Sequence, residues 1–238
     1  MAPSVPEGRG TYHEQVRQPA RSRDRELLDD SRLDPVELRR NLGEMAMLNR
    51  LPGGVASSVS AVLRLLRPGS PVLDIGTGFA DFAHRMRRRA HAPIVLADVD
   101  PEVLAVARSN VAGMDDVTLL EADVRALPLK DGAVGVAHSS LLLHHLDPAD
   151  AVTALTEMRR VASHGVVVND LRRSRLAFAM TAVPILALAR ARSTRHDGLL
   201  SARRAYTVAE LDDLAADAGL RPVARTAAWW PRVTTTYR

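Results

Sequence analysis

Four aspartates and a cluster of histidines are the residues in this chain whose types and spacing could do chemistry. Asp74 and Asp81 flank a glycine turn, Asp74-Ile-Gly-Thr-Gly-Phe-Ala-Asp81, and Asp98 and Asp123 follow at later chain reversals. Carboxylates so placed suit a ligand that carries cationic groups and hydroxyls, because an ionised carboxylate only accepts hydrogen bonds. His138, His144 and His145 cluster after the next apolar run, and His196 stands beside Asp197. An imidazole can take a proton from a hydroxyl near neutral pH, so this group is a source of general-base candidates. There is no cysteine, which removes disulfides, thiolate metal sites and a cysteine nucleophile.

These residues need a scaffold that brings them to one edge, and the apolar pattern supplies it. Val72-Leu-Asp-Ile75 reads as a short buried strand, the glycines at 76 and 78 as a tight turn, and Phe82 onward as a helix closed by Arg87-Arg88-Arg89. Ile94–Asp98, Val117–Asp123, Ala133–Ser140 and His164–Asp170 read as four further strands. Helices over 101–110, 148–162 and 207–218 alternate with them, opened by Asp100-Pro101, Asp147-Pro148 and Thr207. Such alternation predicts parallel strands joined by right-handed crossovers, with the acids and histidines at the carboxyl edge of one sheet.

The turn discriminates between nucleotides. A dinucleotide fingerprint needs a third glycine at position 81, where this chain has Asp81, and an acid there repels a pyrophosphate. S-adenosylmethionine (SAM), with a sulfonium and an ammonium, suits the acids better than NAD does. Asp98 lies 22 residues after Gly76, the usual place for a carboxylate that accepts from ribose hydroxyls. Asp123 could accept from the adenine amino group.

Asp74-Ile-Gly-Thr-Gly, Asp98, Glu121-Ala-Asp123-Val-Arg-Ala-Leu-Pro128 and Asp131-Gly132 together resemble the class I SAM-dependent methyltransferases. Leu141-Leu-Leu-His-His-Leu146 is similar to the ubiquinone/menaquinone-type small-molecule branch. Asn41-Leu42-Gly43, Val168–Arg175 and Thr194–Gly198 resemble bacterial methyltransferases that accompany type III polyketide synthases. The resemblance covers residues 35 to 225. It implies a Rossmann-like, seven-stranded, mostly parallel sheet, completed by an antiparallel hairpin over 220–228 and 232–237. It implies SAM contacts from Asp74, Gly76, Thr77, Gly78, Asp98, Val99, Asp123, Val124 and Ser139. His144 and His145 are the preferred base candidates, then His196. Adjacent residues on a turn are not expected both to face a cavity, so one of His144 and His145 should be packed or exposed.

Residues 1–30, rich in Arg, Pro, Ser and Gly, read as a mobile arm without an apolar secretion signal, and 31–238 as the methyltransferase domain. Helices within 34–67 precede the sheet, either covering its substrate end or packing on its flank. The most apolar segment, 176–189, lies in an insertion over 172–200 and reads as a lid; at 14 residues with Pro184 inside, it is too short for a membrane span. The expected acceptor is a small, largely apolar molecule, a phenolic or enolic polyketide or quinone methylated on oxygen. The expected setting is secondary metabolism in the cytoplasm, with a homodimer left open.

Other classes fit less well. A net charge of +4 spread along the chain, with 3% aromatics, argues against nucleic acid. A divalent-metal catechol site would need an acidic pair near Asn169-Asp170 that the spacing does not supply, so no metal is expected. A non-catalytic or non-methylating SAM-binding protein of the same fold stays open. Three departures bear on it: Val134-Gly135 where the family has Phe-Asp, Phe79 at a usually small position, and His138 in place of a smaller residue.

Overall fold

A computed structural model describes residues 20–22, 24, 34–51, 54–226 and 231–238. Most of the expected mobile arm, the Pro52-Gly53 helix stop and the Trp230 turn lie outside the described residues.

Seven strands form one sheet in the order β3-β2-β1-β4-β5-β7-β6. They are β1 (Val72–Ile75), β2 (Ile94–Asp98), β3 (Val117–Glu121), β4 (Val134–Ser140), β5 (Ala162–Leu171), β6 (Pro222–Arg225) and β7 (Arg232–Tyr237). The first five are parallel, and β7 runs antiparallel between β5 and β6. This is the expected Rossmann-like class I architecture. The order reverses at β1, so the crevice beyond its carboxyl end is where a ligand finds room.

The helices are α1 (Pro35–Leu48), α2 (Val55–Leu65), α3 (Asp81–Arg87), α4 (Pro101–Asn110), α5 (Pro148–Val161), α6 (Arg175–Leu188), α7 (Arg192–Arg204) and α8 (Val208–Asp217). Period-two alternation in the strands divides the core between the two faces. Val72, Ile94, Leu96, Val136 and Val167 pack with Val59, Val62 and Met86 of α2 and α3. Leu73, Ile75, Ala137, Val166 and Val168 pack with Leu155, Met158 and Leu211 of α5 and α8. Most caps follow the sequence. The Asp34 carboxylate accepts from Val36 N at 2.8 Å, Asp100 from Glu102 N at 2.8 Å, and Thr207 forms a reciprocal capping box with Glu210. Asp147 is the exception: its side chain makes no cap bond and instead lies 3.6 Å from the Arg21 guanidinium.

One departure from the family pattern has a steric cause, and a second brings α1 over the glycine turn. A Cβ at Gly135 would sit 2.7 Å from Ser70 Cβ and 2.8 Å from His164 Nδ1, so no larger residue fits at that point of β4. Phe79 lays its ring over Gly43 of α1, where a Cβ would meet it at 3.7 Å. The glycine turn is thereby roofed by the first helix.

The connection from α1 to α2 is equally tight. A Cβ at Gly54 would fall 2.0 Å from the Asn49 carbonyl oxygen, which already accepts from Val55 N at 2.9 Å. Gly54→Ala is therefore expected to lower stability by about 1–3 kcal/mol in urea unfolding, because backbone rather than a side chain must move. Gly43→Ala, with only an ordinary contact at Phe79 and a helical backbone, should instead raise it by about 0.5–1 kcal/mol. Equal effects at the two sites would show that the α1–α2 junction is not constrained in this way.

Candidate functional site

A cavity of about 1270 Å³ opens at the carboxyl edge, walled by the glycine turn, α1, α7 and the turn after β4. Gly76 and Gly78 take φ of +70° and +49°, which lets the backbone turn under this cavity without a Cβ in the way. Ala80 follows at φ +59°, an unusual value for a non-glycine residue, and is wholly buried as the N-cap of α3.

The acids stand where the sequence placed them, each with a different partner. Asp98 lines the cavity, and burial pushes its carboxyl up to about 6, against N–H groups of Asp100, Gly78 and Val99 that favour the ionised form. Asp81 is likewise raised by burial, opposed by Asn49 Nδ2, which donates to it at 2.6 Å. Asp74 is buried and accepts from the Thr77 hydroxyl at 3.2 Å. Its other oxygen lies 2.7 Å from His138 Nδ1. The His138 ring stacks on Phe82 with centroids 4.2 Å apart, and its Nε2 has no partner among the described residues. Asp123 lines the cavity too, but both its oxygens accept from Arg125, which holds the carboxyl below its ordinary value. Val99 and Val124 complete this wall, Val99 exposed at the rim and Val124 buried.

Ser139 requires a correction. His138 and Ser140 line the cavity, whereas Ser139 is buried and lies outside its wall. Successive side chains of a strand point to opposite faces, so Ser139 goes with Ile75 and Val168 toward α5 and α8.

The histidines also differ from expectation. His144 and His145 both line the cavity, because a short 3₁₀ turn over Leu143–His145 sets their rings 4.3 Å apart, tilted by 35°. His144 is buried, and its Nδ1 lies 2.6 Å from Asp170 Oδ1 while its backbone N–H donates to Oδ2 at 3.2 Å. Burial alone would raise Asp170; the imidazole and the Leu171 N–H hold it below the usual carboxylate range instead. His196 is 54% exposed and lies outside the cavity wall. On α7 it points away from the face formed by Thr194, Asp197, Gly198 and Ser201, so it cannot meet a reactant there. The expected lid wall is corrected in the same way: α7 and α1 line the cavity, and the apolar segment 176–189 does not. Of the N-terminal helices, α1 covers the site and α2 packs on the sheet.

Sequence reasoning passed over Arg232, the residue that ties these walls together. It is buried on β7, where its Nε donates to Asn169 Oδ1 at 3.0 Å and one terminal nitrogen to Ser140 Oγ at 2.8 Å. The other terminal nitrogen donates to Asn49 Oδ1 at the end of α1. Burial brings this guanidinium down to about 10, opposed by Asp170 and Asp81. Asn169 in turn donates to Ser58 Oγ at 2.8 Å and to the Gly54 carbonyl at 3.1 Å. An arginine inside the alternating segment Arg232–Tyr237 was the available signal, since that strand is buried throughout. Among the described residues, no three His, Cys, Asp or Glu side chains are grouped to hold a metal ion.

A seven-stranded sheet in this order, with a glycine turn and acids around one open crevice, defines the class I methyltransferase fold. Residues 72–165 match the protein family described as a methyltransferase domain. The ribosomal protein L11 methyltransferase of Chelativorans sp. (strain BNC1) is 34% identical over 77 residues, 32% of this chain and 26% of that protein. The malonyl-[acyl-carrier protein] O-methyltransferase of Pectobacterium atrosepticum is 34% identical over 100 residues, 42% of this chain and 37% of that protein. The chain thus spans well under half the length of these curated relatives. A SAM-dependent methyltransferase structure from Aquifex aeolicus superposes with a TM-score of 0.61 at 19% identity, covering 86% of this chain and 98% of that one. Residues 72–165 therefore carry the sequence pattern of a methyltransferase domain, set in a fold shared with SAM-dependent methyltransferases.

Arg232→Met keeps much of the volume but leaves Asn169 and Asn49 without their buried donor and Asp170 without its cation. The expected loss is about 3–5 kcal/mol in urea unfolding, the usual cost of breaking a buried charged network from one side. A loss below about 1 kcal/mol would show that the walls are held by apolar packing instead.

Proposed function

We propose that this protein transfers the methyl group of SAM to a hydroxyl oxygen of a small, largely apolar acceptor, with His144 as the general base. The observation that carries this reading is the buried His144–Asp170 pair at the cavity wall. An Nδ1–H donated to Asp170 leaves Nε2 as the nitrogen with a free lone pair, and a carboxylate behind the ring stabilises the imidazolium that forms. Bound SAM supplies an electrophilic methyl on a sulfonium. An acceptor oxygen would take that methyl, leaving the uncharged thioether, while His144 would accept the hydroxyl proton at Nε2. The His145 ring, 4.3 Å from that of His144, limits that ring's movement. His196 has no part in this scheme.

The chain's own residues divide the cavity. On the cofactor side, Asp98 takes the ribose hydroxyls, Gly76, Thr77 and Gly78 accommodate the methionine portion, and Val99 and Val124 flank the adenine. Asp74 and Asp81 provide negative charge for the sulfonium and ammonium. Asp123 serves the adenine amino group only with whatever acceptor capacity Arg125 leaves it. On the acceptor side, Leu38, Leu42, Met45 and Leu142 form an apolar wall. Buried Asn41 donates toward Thr194 Oγ1 at 3.2 Å, and its Oδ1 has no partner among the described residues, which suits an acceptor that brings a hydroxyl. A phenolic or enolic polyketide or quinone meets these requirements. The O-methyltransferase among the relatives is consistent with transfer to oxygen.

Asp98 gives a pH test. Its carboxyl must be ionised to accept two ribose hydroxyls, and in the free protein it holds its proton up to about pH 6. Because this pKa is raised, the ionised form costs the free protein stability above that pH, and protonation relieves the cost below it. SAM affinity is therefore expected to be flat above about pH 7 and to fall about tenfold by about pH 5. In Asp98→Asn, calorimetry should show weaker binding and no such slope. A pH slope that survives the substitution would remove Asp98 from the ribose site.

His144→Ala should lower kcat by about 10²–10⁴-fold, leave the SAM dissociation constant unchanged and abolish the acidic limb of the pH–rate profile. Asp170→Asn should lower kcat without abolishing SAM binding. If His144→Ala changes kcat less than a few-fold, methyl transfer proceeds by alignment alone and the acceptor arrives already ionised.

A further inference from the structure

The helix α6 is apolar on every side, yet it lies at the surface. No charged residue occurs between Arg175 and Arg190, and Leu176, Val183, Leu186 and Leu188 are 58, 68, 53 and 45% exposed. Leu176, Ala179, Val183, Leu186 and Ala187 recur at helical spacing, so they form one outward ridge about 100° wide. Helices apolar all round are normally buried. Among the described residues nothing covers this ridge, and no side chain of the helix lines the cavity.

The ridge has a basic companion. Residues 172–204 hold eight arginines and a single acid, Asp197, while the whole chain has a net charge of only +4. Asp197 is buried, whereas Arg175, Arg190, Arg192, Arg195 and Arg203 are exposed. On α7 the outward positions are Arg192, Arg195, His196 and Arg203, the face opposite Thr194, Gly198 and Ser201. This basic row belongs to the helix that packs against α6. Arg203 lies 5.4 Å from the Phe178 ring near the start of α6, and Arg195 donates to the Ala189 carbonyl at its end. Ile185 packs at Gly198, where a Cβ would stand 2.7 Å from its Cδ1, and this close approach holds α7 against α6.

We propose that the outer face of the α6–α7 hairpin docks on an anionic lipid bilayer, α6 lying in the headgroup–acyl boundary with the arginines on lipid phosphates. An aliphatic row on one helix with arginines on its neighbour offers a bilayer both the apolar surface and the cationic charge that interfacial binding uses. Crossing is excluded for the described helices, none of which is long and apolar enough. A second copy of this chain fits poorly, since a two-fold pairing of this face would set arginines against arginines. A protein groove would need a matching shape, whereas these side chains stand out singly and a bilayer requires no pocket. Because the inner face of α7 lines the cavity, docking here would set the cavity mouth close to the membrane, whatever acceptor it takes.

Flotation of the full-length protein with vesicles of phosphatidylcholine, with or without roughly one third phosphatidylglycerol, tests this. Binding is expected to the anionic vesicles, to weaken with added salt, and to fall about tenfold or more in Val183→Glu/Leu186→Glu and in Arg190→Gln/Arg192→Gln. Both double variants should keep the wild-type SAM dissociation constant, which shows that they fold. Absence of vesicle binding by the wild type would overturn the proposal and give the face to a protein partner. Binding unaffected by both pairs would overturn it too. A concentration-dependent dimer in light scattering that Val183→Glu/Leu186→Glu abolishes would assign the face to a second copy.

Discussion

The site depends on one buried cation. Arg232 enters the carboxyl edge from β7, which runs antiparallel to β5, and its guanidinium reaches three elements at once. Burying a guanidinium is unfavourable unless its donors are met, and here two asparagines and a serine meet them within reach of two carboxylates. The geometry of that fork fixes the end of α1 against β4 and β5. Asn49 passes the constraint to Asp81, and Asn169 passes it to the start of α2. Remove the cation, and Asn49 at the end of α1 loses its bond to the group that also holds Ser140 and Asn169 of the sheet.

A second chain of contacts fixes the other side of the roof. Glu44 of α1 accepts from the N–H groups of Arg190 and Ala191 at the start of α7, and the buried Asn41 amide meets Ser193 and Thr194. Below, Arg21 donates to the carbonyls of His144, Leu146 and Arg204 and lies over the Tyr206 ring. The His144 turn is thus held from outside by a residue of the N-terminal segment and from inside by Asp170. A base works only when its ring is held, and both supports act on the same three-residue turn.

His138 shows how a family departure can be absorbed. A larger, polar residue at that point of β4 is buried at the cavity wall, and it is accommodated by Asp74 on one side and the Phe82 ring on the other. Phe79 thus sits in the glycine turn, His138 stands beside it on β4, and the third departure, Gly135, is set by Ser70 and His164 at the far end of the strand. None of them removes an acid from the crevice.

The sequence by itself determined the sheet, its order of alternation, most helix caps and the line of acids. Those features follow from local rules: apolar period, capping chemistry and positive φ at glycine. It also singled out His144 without its orienting carboxylate, because Asp170 is 26 positions away and meets it only when β5 lies beside β4. What the tertiary structure alone decided concerns facing. Ser139 turned from the cavity by strand alternation, His196 turned outward on α7, and His145 turned inward because a 3₁₀ turn sets its ring beside that of His144. The apolar segment 176–189 looked like a cavity wall because its composition is apolar on every side. Composition cannot say which side is covered; the packing of α6 on α7, through Ile185 and Gly198, put the wall on one helix and left the apolar ridge on the other.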